Sequence, residues 1–293
     1  MPSTDPSTSV RRRGSGRLLR PARGAVAVLA SVALFGLVAA CSSDDDSSPT
    51  TTASEKTTTA APKKLTILVS NDDGVGAEGI DALVNALKKM PDTEVIVSAP
   101  ATNQSGAGGK TTPGELTATP TTMISGTDAT GVAGFPADSV AWALDGGIEQ
   151  KPQLVVTGVN SGQNIGAFIA LSGTVGAARA GAQRGIPALA VSAGINDAEG
   201  YAEAAALAVK WIEEHRAALL DGSMATTPAS VTNINVPACS AGTPRGLVEV
   251  PASSQPPADL NPVDCSAPAP PAPTDDNGAI AGGWASISDI GMG

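Results

Sequence analysis

The sequence predicts an α/β protein built on a mostly parallel sheet with helices on both faces. Three observations carry that expectation. From Leu65 onward, short Val/Ile-rich runs bounded by Gly, Pro, Asn or Asp alternate with helical patterns, as in strung-together βαβ units. The chain has 293 residues, 42% of them hydrophobic, enough to bury a sizeable core in one large domain or two small ones. It carries 33 Gly and 23 Pro but only three Trp, one Tyr and three Phe, which suits a loop-rich core packed from small residues. Composition also excludes several classes. A pI near 4.5 argues against a nucleic-acid-binding face. Three Cys cannot build a disulfide scaffold, and one His cannot supply a His-based zinc site.

Taken in order, residues 1–40 read as an address rather than as fold. Arg11, Arg12, Arg13, Arg17, Arg20 and Arg23 form a basic flank, and an apolar run from Gly24 to Ala40 ends at Val38-Ala39-Ala40-Cys41. That is a secretory signal, and the Cys after the small residues resembles a bacterial lipobox, with Cys41 lipidated after cleavage. The alternative is a retained transmembrane anchor, since the run is barely long enough to span a bilayer. Either way the chain is expected outside the cytoplasm, anchored to the cell membrane. The leader holds six Arg and one Asp, so its removal leaves 12 basic and 27 acidic residues. The resulting net charge, about −15, repels anionic substrates unless a local cation offsets it. Residues 42–64 contain no large apolar residue and read as a disordered tether before a domain at 65–293.

Within that domain, Leu65–Val69, Glu94–Ser98, Leu154–Thr157, Ala188–Ser192 and Val231–Val236 read as strands. Gly79–Met90, Gly173–Arg184 and Ala202–Leu220 read as helices, the last with an apolar stripe through Ala206, Val209, Ile212 and Leu219. Residues 105–135 and 239–283 break the alternation and read as hairpins or excursions from the core. Cys239 and Cys265 lie in the second of these, where an oxidising compartment permits, but sequence alone does not require, a disulfide.

Ligands on parallel sheets sit beyond the strands' carboxyl ends, so the loops there carry the chemistry. After the first strand comes Ser70-Asn71-Asp72-Asp73-Gly74. Two adjacent carboxylates repel unless a cation lies beside them, although an Asx-rich turn with Gly74 at positive φ is the alternative. The next loops, Ala99–Gly106 and Gly158–Gly166, offer hydroxyl and amide oxygens. Two carboxylates with such oxygens suit Mg²⁺, Mn²⁺ or Ca²⁺. Leu171-Ser172-Gly173-Thr174 opens a helix, either as an ordinary N-cap or as a phosphate cradle. His215 sits on the helix 202–220, far from every motif, and reads as structural.

This series of loops resembles the SurE family of stationary-phase survival proteins, metal-dependent nucleoside 5′/3′-monophosphatases. The matching stretches are LTILVSNDDGVGAEGI (65–80), VIVSAPATNQSG (95–106), GFPADSVAWAL (134–144), LVVTGVNSGQNIG (154–166), SGTVGAARAGAQRGIPALAVS (172–192), NINVP (233–237) and a closing-strand-like GGWASIS (282–288). The resemblance implies a Rossmann-like three-layer core with a protruding β-hairpin and a C-terminal extension used in homodimers or homotetramers. It implies Asp72, Asp73, Ser105 and Asn160 as ligands of a divalent cation, with Asp72 and Asp73 catalytic. It also implies Asn164, Ser172, Gly173 and Thr174 around phosphate, and Asn71 orienting the carboxylates. The chain departs from the family at Leu171, where a Tyr is common, at Trp284, where the closing Gly-Tyr reads Gly283-Trp284, and at Gly76-Ala77-Glu78. The implied reaction is hydrolysis of nucleoside monophosphates, with water favoured as the attacking group. The competing reading is a non-catalytic extracytoplasmic lipoprotein that binds metal or nucleotide. A dinucleotide-dependent oxidoreductase is excluded, because no G-x-G-x-x-G follows the first strand.

Overall fold

A computed structural model describes residues 63–224 and 229–293. The expected leader, the lipidation site Cys41 and nearly all of the tether lie outside the described residues. Chain order begins β1 (Leu65–Ser70), α1 (Glu78–Leu87), β2 (Thr93–Pro100), β3 (Ala118–Thr122), β4 (Asp128–Val132), α2 (Pro136–Trp142) and β5 (Leu154–Ser161). It continues with α3 (Gly173–Ala182), β6 (Ala188–Ala193), α4 (Ala198–Asp221), β7 (Val231–Asn235), β8 (Cys239–Ala241), β9 (Leu247–Glu249), β10 (Val263–Asp264), α5 (Asp276–Ala281) and β11 (Ala285–Ile290).

The main sheet has nine strands in the order β3-β4-β2-β1-β5-β6-β7-β11-β9. From β4 to β7 every pairing is parallel, and the antiparallel ones are β3 on β4 and β11 on β7. The strands β1 and β6 are buried along their whole length, as central parallel strands covered on both faces must be. One apolar cluster joins Ile80, Leu83 and Leu87 of α1 with Trp211 and Ile212 of α4. A second joins Val140 of α2 with Val175 and Ala178 of α3 on the opposite face. The expected three layers are therefore present. Among the described residues, no helix is long and apolar enough to cross a membrane.

The elements differ from the sequence expectation in instructive ways. β5 runs four residues past Thr157, because Gly158, which reads as a terminator, instead adopts φ +127° at a register shift against β6. A Cβ there would lie 2.1 Å from the Val191 carbonyl oxygen, so only glycine permits the close approach. α4 starts four residues early, where the Asp197 side chain accepts from the Gly200 N–H and caps it. α2 was not expected; it begins with Pro136 at its first turn, and Asp138 accepts from the Phe135 N–H. The hairpin of β3 and β4 extends the sheet edge, with β4 paired in parallel to β2.

The Pro-rich region near the C-terminus is tied down twice. Cys239 and Cys265 form a disulfide, with Cα atoms 5.6 Å apart. The buried Asp276 carboxylate accepts from the N–H groups of Gly166, Ser253 and Asn277 at 2.8–2.9 Å. The sequence separation of 26 residues closes a loop whose release is worth about 3.5 kcal/mol in the chain-entropy account. Cys239→Ser with Cys265→Ser is therefore expected to destabilise by about that amount. Hydrogen exchange is expected to rise first in β8 and β10 and to leave β1, β5 and β6 protected.

Candidate active site

The chain reverses direction across the sheet between β1 and β5, and the loops leaving both strands flank the resulting crevice. A cleft of about 220 Å³ opens there, lined by Asp72, Ser105, Gly106, Asn160, Ser161, Gly162, Gln163, Asn164, Phe168, Leu171 and Ser172. Four loops that are distant in sequence thus meet where the fold class places a ligand. A larger groove, about 410 Å³, lies between α4 and the C-terminal strands and contains none of the residues expected to hold metal or phosphate. His215 lines that groove, stacked on Trp211 and bonded through Nδ1 to the Trp211 carbonyl, as a structural histidine.

Asp72 sits at the centre of the site. It is 3% exposed, on the floor of the cleft and against the N-terminus of α3. The Thr174 hydroxyl donates to Asp72 Oδ1. The Asp72 carboxyl is raised from 3.8 to about 6, the net of burial, which pushes it up, the Thr174 hydroxyl, which pulls it down, and the charge of Asp73, which pushes it up. Gly173 matters for space as well as for its N–H, since a Cβ there would lie 2.7 Å from Asp72 Cβ. Thr174 itself is fully buried, its carbonyl accepting from Thr157 Oγ1. The side chain expected at the phosphate thus gives its proton to Asp72.

Asp73 is not among the residues that line the cleft but stands one hydrogen bond behind it. Its Oδ2 accepts from the Ser161 N–H at 3.0 Å, while Asn103 Nδ2 and Ser105 Oγ approach Oδ1 at 3.4 Å. Contacts that long are weak and leave Oδ1 with capacity to spare. Asn160 Nδ2 donates to the Gly162 carbonyl at 2.6 Å, which fixes the amide and leaves Oδ1 as its free donor atom. Among the described residues no three His, Cys, Asp or Glu cluster as a metal site, so any cation must draw on hydroxyl and amide oxygens. The set fits that demand: two carboxylates, Ser105 Oγ and Asn160 Oδ1 are the donors a hard divalent cation takes, and Asp72 is buried beside a like charge with no Lys or Arg among the cleft's lining residues. Asn71 does not touch either carboxylate. Its Nδ2 donates to the Gly74 carbonyl at 2.9 Å and holds the turn that carries them.

Among the residues expected at a phosphate, the Ser172 oxygen accepts from the Val175 N–H at 3.1 Å as the N-cap, which leaves its hydroxyl proton available to the cleft. Asn164 Nδ2 donates to Ser192 Oγ at 2.9 Å, its N–H donates to Asn235 Oδ1 at 2.7 Å, and Asn233 Nδ2 donates to its carbonyl at 2.9 Å. Sequence reasoning missed Ser192, Asn233 and Asn235 as the frame around Asn164. The signal was present, since Asn233 and Asn235 alternate on one face of a buried strand, where amide side chains need partners. It missed Ser161 for a different reason: that residue binds Asp73 through its backbone, and any residue type offers an N–H.

Comparison with known proteins identifies the family. The family model described as survival protein SurE matches residues 67–255, well over half of the chain. The 5′-nucleotidase SurE of Methanopyrus kandleri is 37% identical over 175 residues, 59% of this chain and 66% of that protein. The 5′-nucleotidase SurE of Sorangium cellulosum is 41% identical over 176 residues, 59% of this chain and 64% of that protein. The chain thus spans just under two thirds of these relatives' lengths. The crystal structure of the SurE protein from Aquifex aeolicus superposes with a TM-score of 0.60 at 27% identity, covering 78% of this chain and 94% of that one.

The raised carboxyl of Asp72 has a definite sign for stability. In the metal-free protein the folded state holds that proton more tightly than the unfolded chain does. The contribution is therefore complete below pH 3.8 and lost as pH rises through about 6. Its full size is about 3 kcal/mol by linkage. Urea titrations of chelator-treated protein are expected to show that loss between pH 4 and 7, to show it removed in Asp72→Asn, and to show it reversed by excess Mn²⁺.

Proposed function

The chain belongs to the survival protein SurE family, and from that premise we propose that it is a phosphomonoesterase. It hydrolyses nucleoside 5′- and 3′-monophosphates to nucleoside and phosphate with the help of a divalent cation, Mg²⁺ or Mn²⁺. The observation that carries this reading is the buried Asp72 beside Asp73, in a cleft whose other polar groups are neutral oxygen and amide donors. Asp72, Asp73, Ser105 and Asn160 are the residues that hold the cation, which supplies charge neutralisation at phosphorus and an activated water. Thr174 and Gly173 keep Asp72 oriented. The Ser172 hydroxyl, at the N-terminal end of α3, and the Asn164 side-chain amide receive the phosphate oxygens. Asp73, the more exposed of the two carboxylates, is the group placed to take a proton from the attacking water.

The same reading places the enzyme outside the cytoplasm, held to the membrane through a lipid on Cys41 and assembled as a homodimer or homotetramer. Support for the compartment comes from the basic and apolar leader and from the Cys239–Cys265 disulfide, a bond that persists under oxidising conditions.

Phosphate release from AMP and its 3′ isomer, measured for the chain from residue 42, is expected only with Mg²⁺ or Mn²⁺ and is expected to stop with EDTA. Asp73→Asn is expected to lower kcat/KM by at least about 100-fold, the scale of a lost general base. Folded protein that binds Mn²⁺ and releases no phosphate overturns the enzyme in favour of a metal- or nucleotide-binding lipoprotein. For the anchor, Cys41→Ser is expected to move the full chain from the membrane to the soluble fraction, read by fractionation and by the mass of the mature N-terminus.

A further inference from the structure

Five large hydrophobic side chains are exposed among the described residues: Ile124, Phe168, Leu171, Ile195 and Leu247. Two of them, Phe168 at 38% exposure and Leu171 at 62%, line the cleft described above. A third, Ile195 at 61%, stands over its wall, with Cγ1 3.5 Å from where a Cβ on Gly162 would be. Exposed apolar side chains that gather at the mouth of a polar cleft mark a surface for a ligand. The local backbone explains why two of them face the same way. Gly166–Ala170 is a short 3₁₀ turn, and the Leu171 N–H donates to the Phe168 carbonyl at 3.0 Å. Residues three apart eclipse in that geometry, so the ring and the leucine side chain share one face.

The turn is held rigidly from behind. The Ala167 N–H donates to the Gln255 carbonyl at 3.0 Å, Asn277 Nδ2 donates to the same oxygen at 2.9 Å, and the Gly166 N–H is bound by the buried Asp276. Gly166 takes φ +53°, where a Cβ would lie 2.2 Å from the Gln255 oxygen. A preorganised apolar face loses little entropy on binding, unlike a mobile loop. The cleft's lining contains no Lys or Arg, so nothing there would pair with a second phosphate.

We propose that Phe168, Leu171 and Ile195 form the leaving-group shelf of this cleft. They select monophosphate esters whose leaving group presents a flat aromatic face, chiefly the nucleobase, and do so by stacking and apolar contact rather than by base-edge hydrogen bonds. The proposal rests on the phosphomonoesterase reading for its polar end. It predicts discrimination between nucleotides and bare sugar phosphates, with little discrimination among bases.

Two measurements test it. With Mn²⁺ present, Phe168→Ala and Leu171→Ala are expected to raise KM for AMP about 10-fold with kcat little changed, in line with the loss of one stacked base. They are expected to leave kcat/KM for ribose 5-phosphate unchanged, while Phe168→Trp keeps the AMP value and Ile124→Ala, a remote exposed apolar control, changes nothing. Equal losses on AMP and ribose 5-phosphate, or a wild-type KM that is the same for both, overturn the shelf. Calorimetry of adenosine binding to chelator-treated protein gives the second readout, which needs no turnover. Binding by the wild type that weakens at least 5-fold in Phe168→Ala supports the shelf even if no ester is hydrolysed, an outcome that would sink the enzyme alone. No adenosine binding, or binding indifferent to Phe168, overturns it.

Discussion

Asp72 is buried against a second carboxylate, and the surrounding structure is arranged around that fact. A carboxylate in this position is tolerated only where dipoles and protons are aimed at it. The fold supplies them by running α3 directly at the end of β1, so that the Thr174 hydroxyl and the first turn of the helix meet the Asp72 oxygens. The approach is so close that position 173 has no room for a Cβ. It also depends on β1 lying between β2 and β5, since only a strand at the point where the order reverses has an uncrossed crevice at its carboxyl end. A local charge conflict thus accounts for a helix position, a glycine and a strand order together.

A second constraint comes from the far end of the chain. The cleft's outer lip, the 3₁₀ turn at 166–170, has few bonds to its own neighbours and is fastened instead by Asp276 and Gln255 from the C-terminal excursion. That excursion contributes two short strands of its own and little core, and small loop-rich segments of this kind need staples. The disulfide and the Asp276 carboxylate serve as those staples. What reads in sequence as a Pro-rich interruption is therefore a clamp that fixes one wall of the site across more than a hundred residues of chain.

How legible was this molecule before its structure was known? The central strands β1, β2, β5, β6 and β7 and the helices α1, α3 and α4 were readable, because each is a short run with one periodicity and clear punctuation. The loops carrying Asp72, Ser105, Asn160 and Ser172 were readable as candidates because the fold class says where chemistry sits. Three things were not readable. α2 is short and begins with a proline that resembles a breaker until its place at a first turn is known. The Thr174 hydroxyl donates to Asp72 across 102 positions of chain, a pairing that no local pattern records. Ser161 contributes an N–H to Asp73, and no side-chain pattern records a backbone donor.

The distribution of charge closes the argument about what this cleft accepts. The full chain carries 28 acidic against 18 basic residues, so its mean field disfavours any anion, and the cleft's own lining supplies no cation to reverse it. Every negative charge on a ligand must then be met by the proposed divalent ion and a handful of neutral donors. On the proposed reading, two carboxylates and one divalent cation sum to zero, so a phosphate group relies on neutral donors and nothing in the cleft's lining pairs with a second one. An ester gains affinity in such a site from the part that carries no charge, and the rim provides for that with Phe168 and Leu171. The polar floor and the apolar rim thus follow from one condition: the site can neutralise little charge, and it draws its remaining binding energy from contact.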